Sequence, residues 1–75
     1  MDKKLIEIAA QVLKVSASDA AQHCKEIPEE NAYYFWNPVR GGAAVIVAEN
    51  GEKLGASSSV SYEKHLAAFR SGRRN

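Results

Sequence analysis

This chain has few of the sequence features that usually indicate a class of function: it has little cysteine, little excess charge and no long apolar run. Its 75 residues include one cysteine, Cys24, so no disulfide can form within the chain, and a reducing compartment is favoured. Ten basic residues against nine acidic ones give a formal net charge of +1, unlike the strong basic excess of a dedicated nucleic-acid binder. No apolar run approaches the roughly 18 residues of a membrane span, and Glu7 and Gln11 interrupt the first apolar segment. We therefore expect a cytoplasmic protein.

Recognisable catalytic, metal-binding and cofactor-binding motifs are also missing. The serines at 57–59 lie in no G-x-S-x-G sequence and are typical of a turn. His23 and Cys24 are adjacent, whereas zinc ligands are usually separated by roughly two to four residues. No glycine-rich phosphate loop is present. We expect no catalytic residue, metal or cofactor, and a small hydrolase that uses Ser59 and His65 stays a distant alternative.

Periodicity and turn residues predict six elements in the order α, α, β, β, β, α. Apolar residues at helical spacing predict a helix over 3–14, with Asp2 as its N-cap. Ser16 or Ser18 would cap a short second helix, AAQHCKEI, which Pro28 would end. The remaining predicted elements are strands at 32–37, 43–48 and 52–57 and a helix at 62–71, capped by Ser61 and followed by Gly72.

Short connections between the strands predict an α+β fold, a three-stranded antiparallel meander with the N-terminal and C-terminal helices packed on one face. The Asn-Gly pair at 50–51 predicts a two-residue hairpin turn, which would place Val47 opposite Leu54. We assign residues 1–72 to a single domain and residues 73–75 to a frayed basic tail.

Four of the six aromatic residues are consecutive, in the segment YYFW at 33–36. In a strand, alternate side chains face opposite ways, so helices on one face would cover two of these rings. Either both faces are partly covered, or two rings remain for a partner. Because aromatic residues and arginine dominate interface energetics, we predict a partner-binding surface. Its predicted members are Tyr33, Phe35, Trp36, Asn37 and Arg40.

Arginines offer two further interpretations. Arg40 lies between Asn37-Pro38 and a glycine pair, so it is predicted at a turn, either solvated, stacked on a ring, or binding a carboxylate or phosphate. A small basic end could hold single-stranded nucleic acid by stacking and charge, or could simply complement a helix dipole. Its members are Arg70, Arg73 and Arg74.

The order of several short segments is familiar as a whole. An aromatic strand, AYYFWN, precedes a glycine-marked turn, RGG, then AVIVAENGEKL and a terminal helix, SYEKHLAAFRSG. Over roughly residues 1–72 this resembles the immunity protein 35 family, small bacterial α+β proteins predicted to neutralise toxins of polymorphic toxin systems. The resemblance implies a protein partner, for which a toxin domain is the candidate, and it supplies no catalytic residues.

Together these observations predict a non-enzymatic, cytoplasmic protein-binding domain. The alternative is a self-associating structural module, in which the edge of the strand KLGASSS pairs with its copy in a homodimer. Nucleic-acid binding is a weaker alternative, and no membrane partner is expected.

Overall fold

The computed structural model describes residues 3–37, 42–57 and 59–74, which form an α+β fold. Its four strands build one antiparallel sheet whose spatial order, β1-β2-β3-β4, follows the chain. The elements are α1 (Lys3–Leu13), α2 (Ala17–Gln22), β1 (Cys24–Ile27), a 3₁₀ helix (Pro28–Glu30), β2 (Ala32–Trp36), β3 (Ala44–Ala48), β4 (Lys53–Ala56) and α3 (Tyr62–Arg70).

The prediction of three strands is wrong, because half of the predicted second helix is a strand. Ser16 does cap α2, accepting a hydrogen bond from the Asp19 amide at 3.1 Å, but the helix ends at Gln22. The next residues, CKEI, pair antiparallel with the aromatic strand β2. A helix this short is marginal by itself. Pairing with β2 satisfies the backbone instead and buries Ile27.

The two longer helices lie where periodicity predicted them, within a residue at their C-terminal ends. Lys14, at φ 58°, follows the end of α1. At the start of α3 the Lys64 amide donates to the Ser61 hydroxyl at 3.2 Å, and Gly72, at φ 97°, follows its end. These features confirm the predicted cap and terminating glycine of α3. Asp2, the predicted cap of α1, lies outside the described residues.

Helices cover both faces of the sheet, so the prediction that they share one face is wrong. All five residues of β3 are buried, and a strand that is apolar on both sides needs cover on both sides. One core packs α1 and α2 on the sheet and is formed by Leu5, Ala9, Ala10, Leu13, Ala20, Phe35, Val45 and Val47. The other packs α3 on the opposite face and is formed by Ile27, Ala32, Ile46, Ala48, Leu54, Leu66 and Phe69.

The hairpin between β3 and β4 has a three-residue loop, so the predicted register is wrong by one residue. The Ala48 amide donates to the Glu52 carbonyl at 2.7 Å, and Gly51 adopts φ 94°. Three-residue hairpin loops commonly end on such a left-handed residue. Ile46, rather than Val47, therefore lies opposite Leu54. This register puts both side chains on the face that α3 covers, where they can be buried.

The connection between β2 and β3 closes with a hydrogen bond from the Asn37 amide to the Ala43 carbonyl at 3.0 Å. Residues 38–41, which include Arg40, lie outside the described part of the chain. None of the helices in the described ranges has the length and apolar character needed to cross a lipid bilayer.

Candidate functional site: an aromatic groove

A change in side-chain size across the sheet produces a groove on the face that carries α3. Strand pairing sets Trp36 beside Ala44, and Ala44 beside Ala56, in one row across β2, β3 and β4. A large ring therefore stands next to two methyl groups. The neighbouring row contains Ile46 and Leu54, which belong to the α3 core. The row of small side chains lies beyond that core, at the end of the sheet near the β2–β3 connection.

The resulting groove has a volume of about 510 Å³. Strands β1, β2 and β3, the segment before α3 and the first residue of α3 all contribute to it. Its lining comprises Lys25, Tyr34, Trp36, Asn37, Gly42, Ala43, Ala44, Ser57, Val60 and Tyr62.

Three aromatic side chains of the groove contact one another in series. The rings of Tyr34 and Trp36 stack with centroids 5.9 Å apart and planes inclined by 29°. Tyr62 meets Tyr34 edge to face, with centroids 4.7 Å apart. Both arrangements are favourable for aromatic quadrupoles, so the rings are held in place before any partner arrives.

Trp36 is also supported from the side of β1. The His23 ring meets it edge to face at 5.8 Å. His23 is itself fixed by a 2.8 Å hydrogen bond between its Nδ1 and the Asp19 carbonyl; because a carbonyl can only accept, Nδ1 is the donor. The indole is thus packed between Tyr34 and His23 while remaining partly exposed.

Lys25 supplies positive charge at the groove. Its side chain is exposed, and its Nζ lies 4.6 Å from the centroid of the Tyr62 ring, a cation–π contact. Among the described residues that line the groove there is no carboxylate. The groove therefore combines three aromatic rings with one ammonium group and uncharged neighbours.

Burial raises the pKa of the Tyr34 hydroxyl, and the neighbouring Tyr62 raises it further. Removing water from the hydroxyl disfavours its anionic form. At neutral pH Tyr34 therefore presents a neutral hydroxyl, and the groove gains no negative charge from it.

The predicted partner-binding residues do not all lie on one face of the sheet. Trp36 and Asn37 line the groove. Tyr33 faces the other way and packs against the core beneath α1. Phe35 is 0% exposed, so its prediction as a contact residue is wrong; the strand alternation aims it into the core that α1 and α2 close. Arg40 lies outside the described residues.

Apart from Trp36 and Asn37, the lining residues of the groove are not among the predicted contact residues. Lys25 falls in the predicted second helix rather than in β1, and the prediction includes neither Tyr34 nor Tyr62. The available signal was Tyr34 itself: it shares the strand face of Trp36, two residues away. Placing Lys25 and Tyr62 beside them requires the pairing of β1 with β2 and the position of α3.

The residues weighed for catalysis make hydrogen bonds, although the buried Nδ1 of His65 has no partner among the described residues. His65 is buried, and its Nε2 donates to the Leu54 carbonyl at 2.6 Å. The hydroxyls of Ser57 and Ser59 lie 2.7 Å apart and pair with each other. Within the described ranges, no three His, Cys, Asp or Glu residues are grouped so that they could hold a metal ion.

Two arginines of the basic end contact acidic side chains. Arg70 contacts Glu29 at 3.3 Å and Glu30 at 3.0 Å. Arg74 contacts Glu52 at 3.2 Å and lies 3.7 Å above the Phe69 ring centroid. These contacts connect α3 and the residues after it to the turns of the sheet, and they engage charges that a nucleic-acid backbone would otherwise meet.

Comparison with known proteins gives no relative: no family model, no curated protein and no solved structure matches this chain. Function is therefore argued from the groove.

Proposed function

We propose that this chain is a non-enzymatic binding domain that captures a protein partner through the aromatic groove. The observation that carries the proposal is the convergence of Tyr34, Trp36 and Tyr62 on one surface groove, where mutual contacts hold the rings without sealing them. A core needs no such opening, and preorganised rings lose little conformational freedom on binding.

The composition of the groove favours a protein partner. Aromatic residues are enriched where proteins bind one another, and charged residues are depleted at the centres of such interfaces. Val60, at 37% exposure, is the large apolar side chain that remains exposed among the described residues, and it lines this groove. An exposed apolar side chain beside partly exposed rings is the arrangement expected of a contact surface.

A more specific version of the proposal follows from the resemblance to the immunity protein 35 family. In that version the partner is a toxin domain, and this chain neutralises it in the cytoplasm by covering its surface, without chemistry of its own.

The binding proposal is tested by affinity capture of proteins from native lysate. The immobilised proteins are the wild type and two variants that each lack one aromatic ring. Trp36→Ala removes the groove ring, whereas Tyr33→Ala removes a ring of similar kind from the opposite face and serves as the control. Both variants are first checked for native circular dichroism. We expect Trp36→Ala to lose the partners that wild type and Tyr33→Ala both retain. Equal capture by all three proteins would refute the groove as the binding surface.

The toxin version has its own test. If the neighbouring gene encodes a large secreted protein, the C-terminal domain of that protein is expressed in cells with or without this chain. We expect cells that express the toxin domain to grow when they also express the wild-type chain, and not when they express Trp36→Ala. Failure of rescue despite measurable binding of the two purified proteins would exclude neutralisation while leaving the binding proposal intact.

A homodimer is the second candidate, and the sheet topology favours it. β4 is an outer strand of the sheet, and an outer strand is the position at which a sheet can extend by pairing with a copy of itself. Sedimentation velocity over a wide concentration range decides the question. A monomer whose sedimentation coefficient does not change with concentration would exclude this candidate.

A further inference from the structure

We propose that the groove selects an acidic peptide segment of its partner, one that carries a single large apolar anchor side chain. This inference rests on the proposed binding function and names the chemistry of the segment that binds. It draws on two independent features, the shape of the groove and the exposed ammonium group of Lys25 in its lining.

The shape of the groove calls for an apolar anchor. Ala44 is the cross-strand neighbour of Trp36, so a small side chain lies directly beside the indole. Val60 and Tyr62 line the same groove. A leucine-sized or aromatic side chain of the partner can therefore contact the indole while lying over the alanine. Such a contact removes apolar surface of both molecules from water, which is the main favourable term in association.

The charge at the groove calls for carboxylates near that anchor. Lys25 is the charged residue of the described lining. Its ammonium group already lies over Tyr62, so a cationic ligand would meet an occupied ring face and a like charge. An aspartate or glutamate beside the anchor would instead meet a cation that remains exposed to solvent.

A nucleic acid is a poorer match for the same surface. Phosphate backbones are bound by several cations placed along their path. The described lining of the groove provides one, and two arginines elsewhere contact carboxylates.

The inference is tested with a random peptide library displayed on phage. The immobilised wild-type protein selects binders, and immobilised Trp36→Ala removes those that do not need the groove. We expect the remaining peptides to share one large apolar residue flanked by Asp or Glu. Because Trp36 is the single tryptophan, binding of the synthesised peptides is then followed by its fluorescence.

A charge-reversal variant distinguishes electrostatic attraction to Lys25 in the groove from nonspecific binding elsewhere on the protein. Lys25→Glu should weaken the selected acidic peptides by at least roughly two- to fivefold, because it removes one exposed ion pair and adds a repulsion between carboxylates. Lys64→Glu makes the same change on the exposed surface of α3 and should leave affinity almost unchanged. Equal effects of the two variants would overturn the assignment of Lys25.

The outcomes distinguish the inference from the function on which it rests. Trp36-dependent peptides that are neutral or basic would overturn the acidic preference while the groove remains the binding surface. Peptides that bind Trp36→Ala as well as wild type would count against the groove itself. A library that yields no Trp36-dependent peptide also overturns the inference, whereas the capture experiment with whole proteins still decides the binding function.

Discussion

At the scale of single residues, Cys24 shows how burial and a neighbouring carboxylate lower the reactivity of a thiol. Burial raises the pKa of its thiol, and the carboxylate of Glu26, two residues along the same strand, raises it further. The reactive species of cysteine is the thiolate. A raised pKa therefore means that less thiolate is present at neutral pH.

We predict that Cys24 reacts with Ellman's reagent at neutral pH more slowly in the folded protein than in urea. Glu26→Gln should speed the reaction of the folded protein, because it removes a negative charge that disfavours the thiolate. Glu63→Gln removes an exposed carboxylate from α3 and is the control. A rate equal to that of the unfolded chain would contradict the prediction.

Tyr34 leads to a prediction about alkaline pH. Its pKa is raised in the folded protein, so above about pH 10, the ordinary value for tyrosine, the unfolded chain loses a proton that the folded protein keeps. Release of that proton favours unfolding, and stability falls as the pH rises through this range. At neutral pH the effect is absent, because the hydroxyl is protonated in both states.

Urea denaturation of wild type and Tyr34→Phe at neutral and alkaline pH checks this. The free energy of unfolding of Tyr34→Phe should decline less between the two conditions. Parallel declines in the two proteins would show that Tyr34 does not contribute to the pH dependence.

At the scale of elements, the β3–β4 hairpin depends on one backbone conformation. Gly51 has φ 94°, a region that side chains with a Cβ avoid, yet a Cβ at this position would meet no atom within 4 Å. The cost of substitution there is therefore conformational and not a clash.

We predict that Gly51→Ala lowers the free energy of unfolding by about 1 kcal/mol, and that Gly51→Asn lowers it less, because asparagine tolerates positive φ better. Chemical denaturation measures both. The free energy of unfolding of Gly72→Ala is the comparison. Gly72 also has a positive φ, 97°, and open surroundings, but it lies after the last helix rather than in a hairpin. An alanine variant at 51 as stable as wild type would contradict the assigned conformation.

At the scale of the whole molecule, β3 makes the two cores one cooperative unit. Val47 points into the core beneath α1, and its neighbour Ile46 points into the core beneath α3. Unfolding of β3 would therefore remove side chains from both cores at once. A domain of this size is expected to unfold in one step.

We predict that Ile46→Val lowers the free energy of unfolding by about 0.5 to 1.5 kcal/mol and Val47→Ala by about 1 to 2 kcal/mol. In each variant, Trp36 fluorescence, which reports on the α3 face, and far-UV circular dichroism should show one coincident transition. Fluorescence that stays native in Val47→Ala while the circular dichroism changes would reveal two separable units.

Much of the local structure could be read from the sequence. The periodicity of α1 and α3, the Ser61 cap and the Gly72 terminus depend on residues within one or two turns of each other, and the structure bears them out. The apolar run of β3 and the aromatic run of β2 also indicate strands by themselves. For the groove, the alternation of side chains along β2 correctly predicts that Trp36 and Phe35 lie on opposite faces. It does not predict which of the two is covered.

Tertiary structure decided the rest, for a common physical reason. Whether CKEI is helix or strand, which face each helix covers, and how β4 is registered all depend on burial against residues far away in the chain. Local preferences at these places are weak: a six-residue helix is marginal, and an Asn-Gly hairpin can close with either loop length. Packing energy between distant segments therefore makes the choice, and it also brings Lys25 and Tyr62 to the side of Trp36.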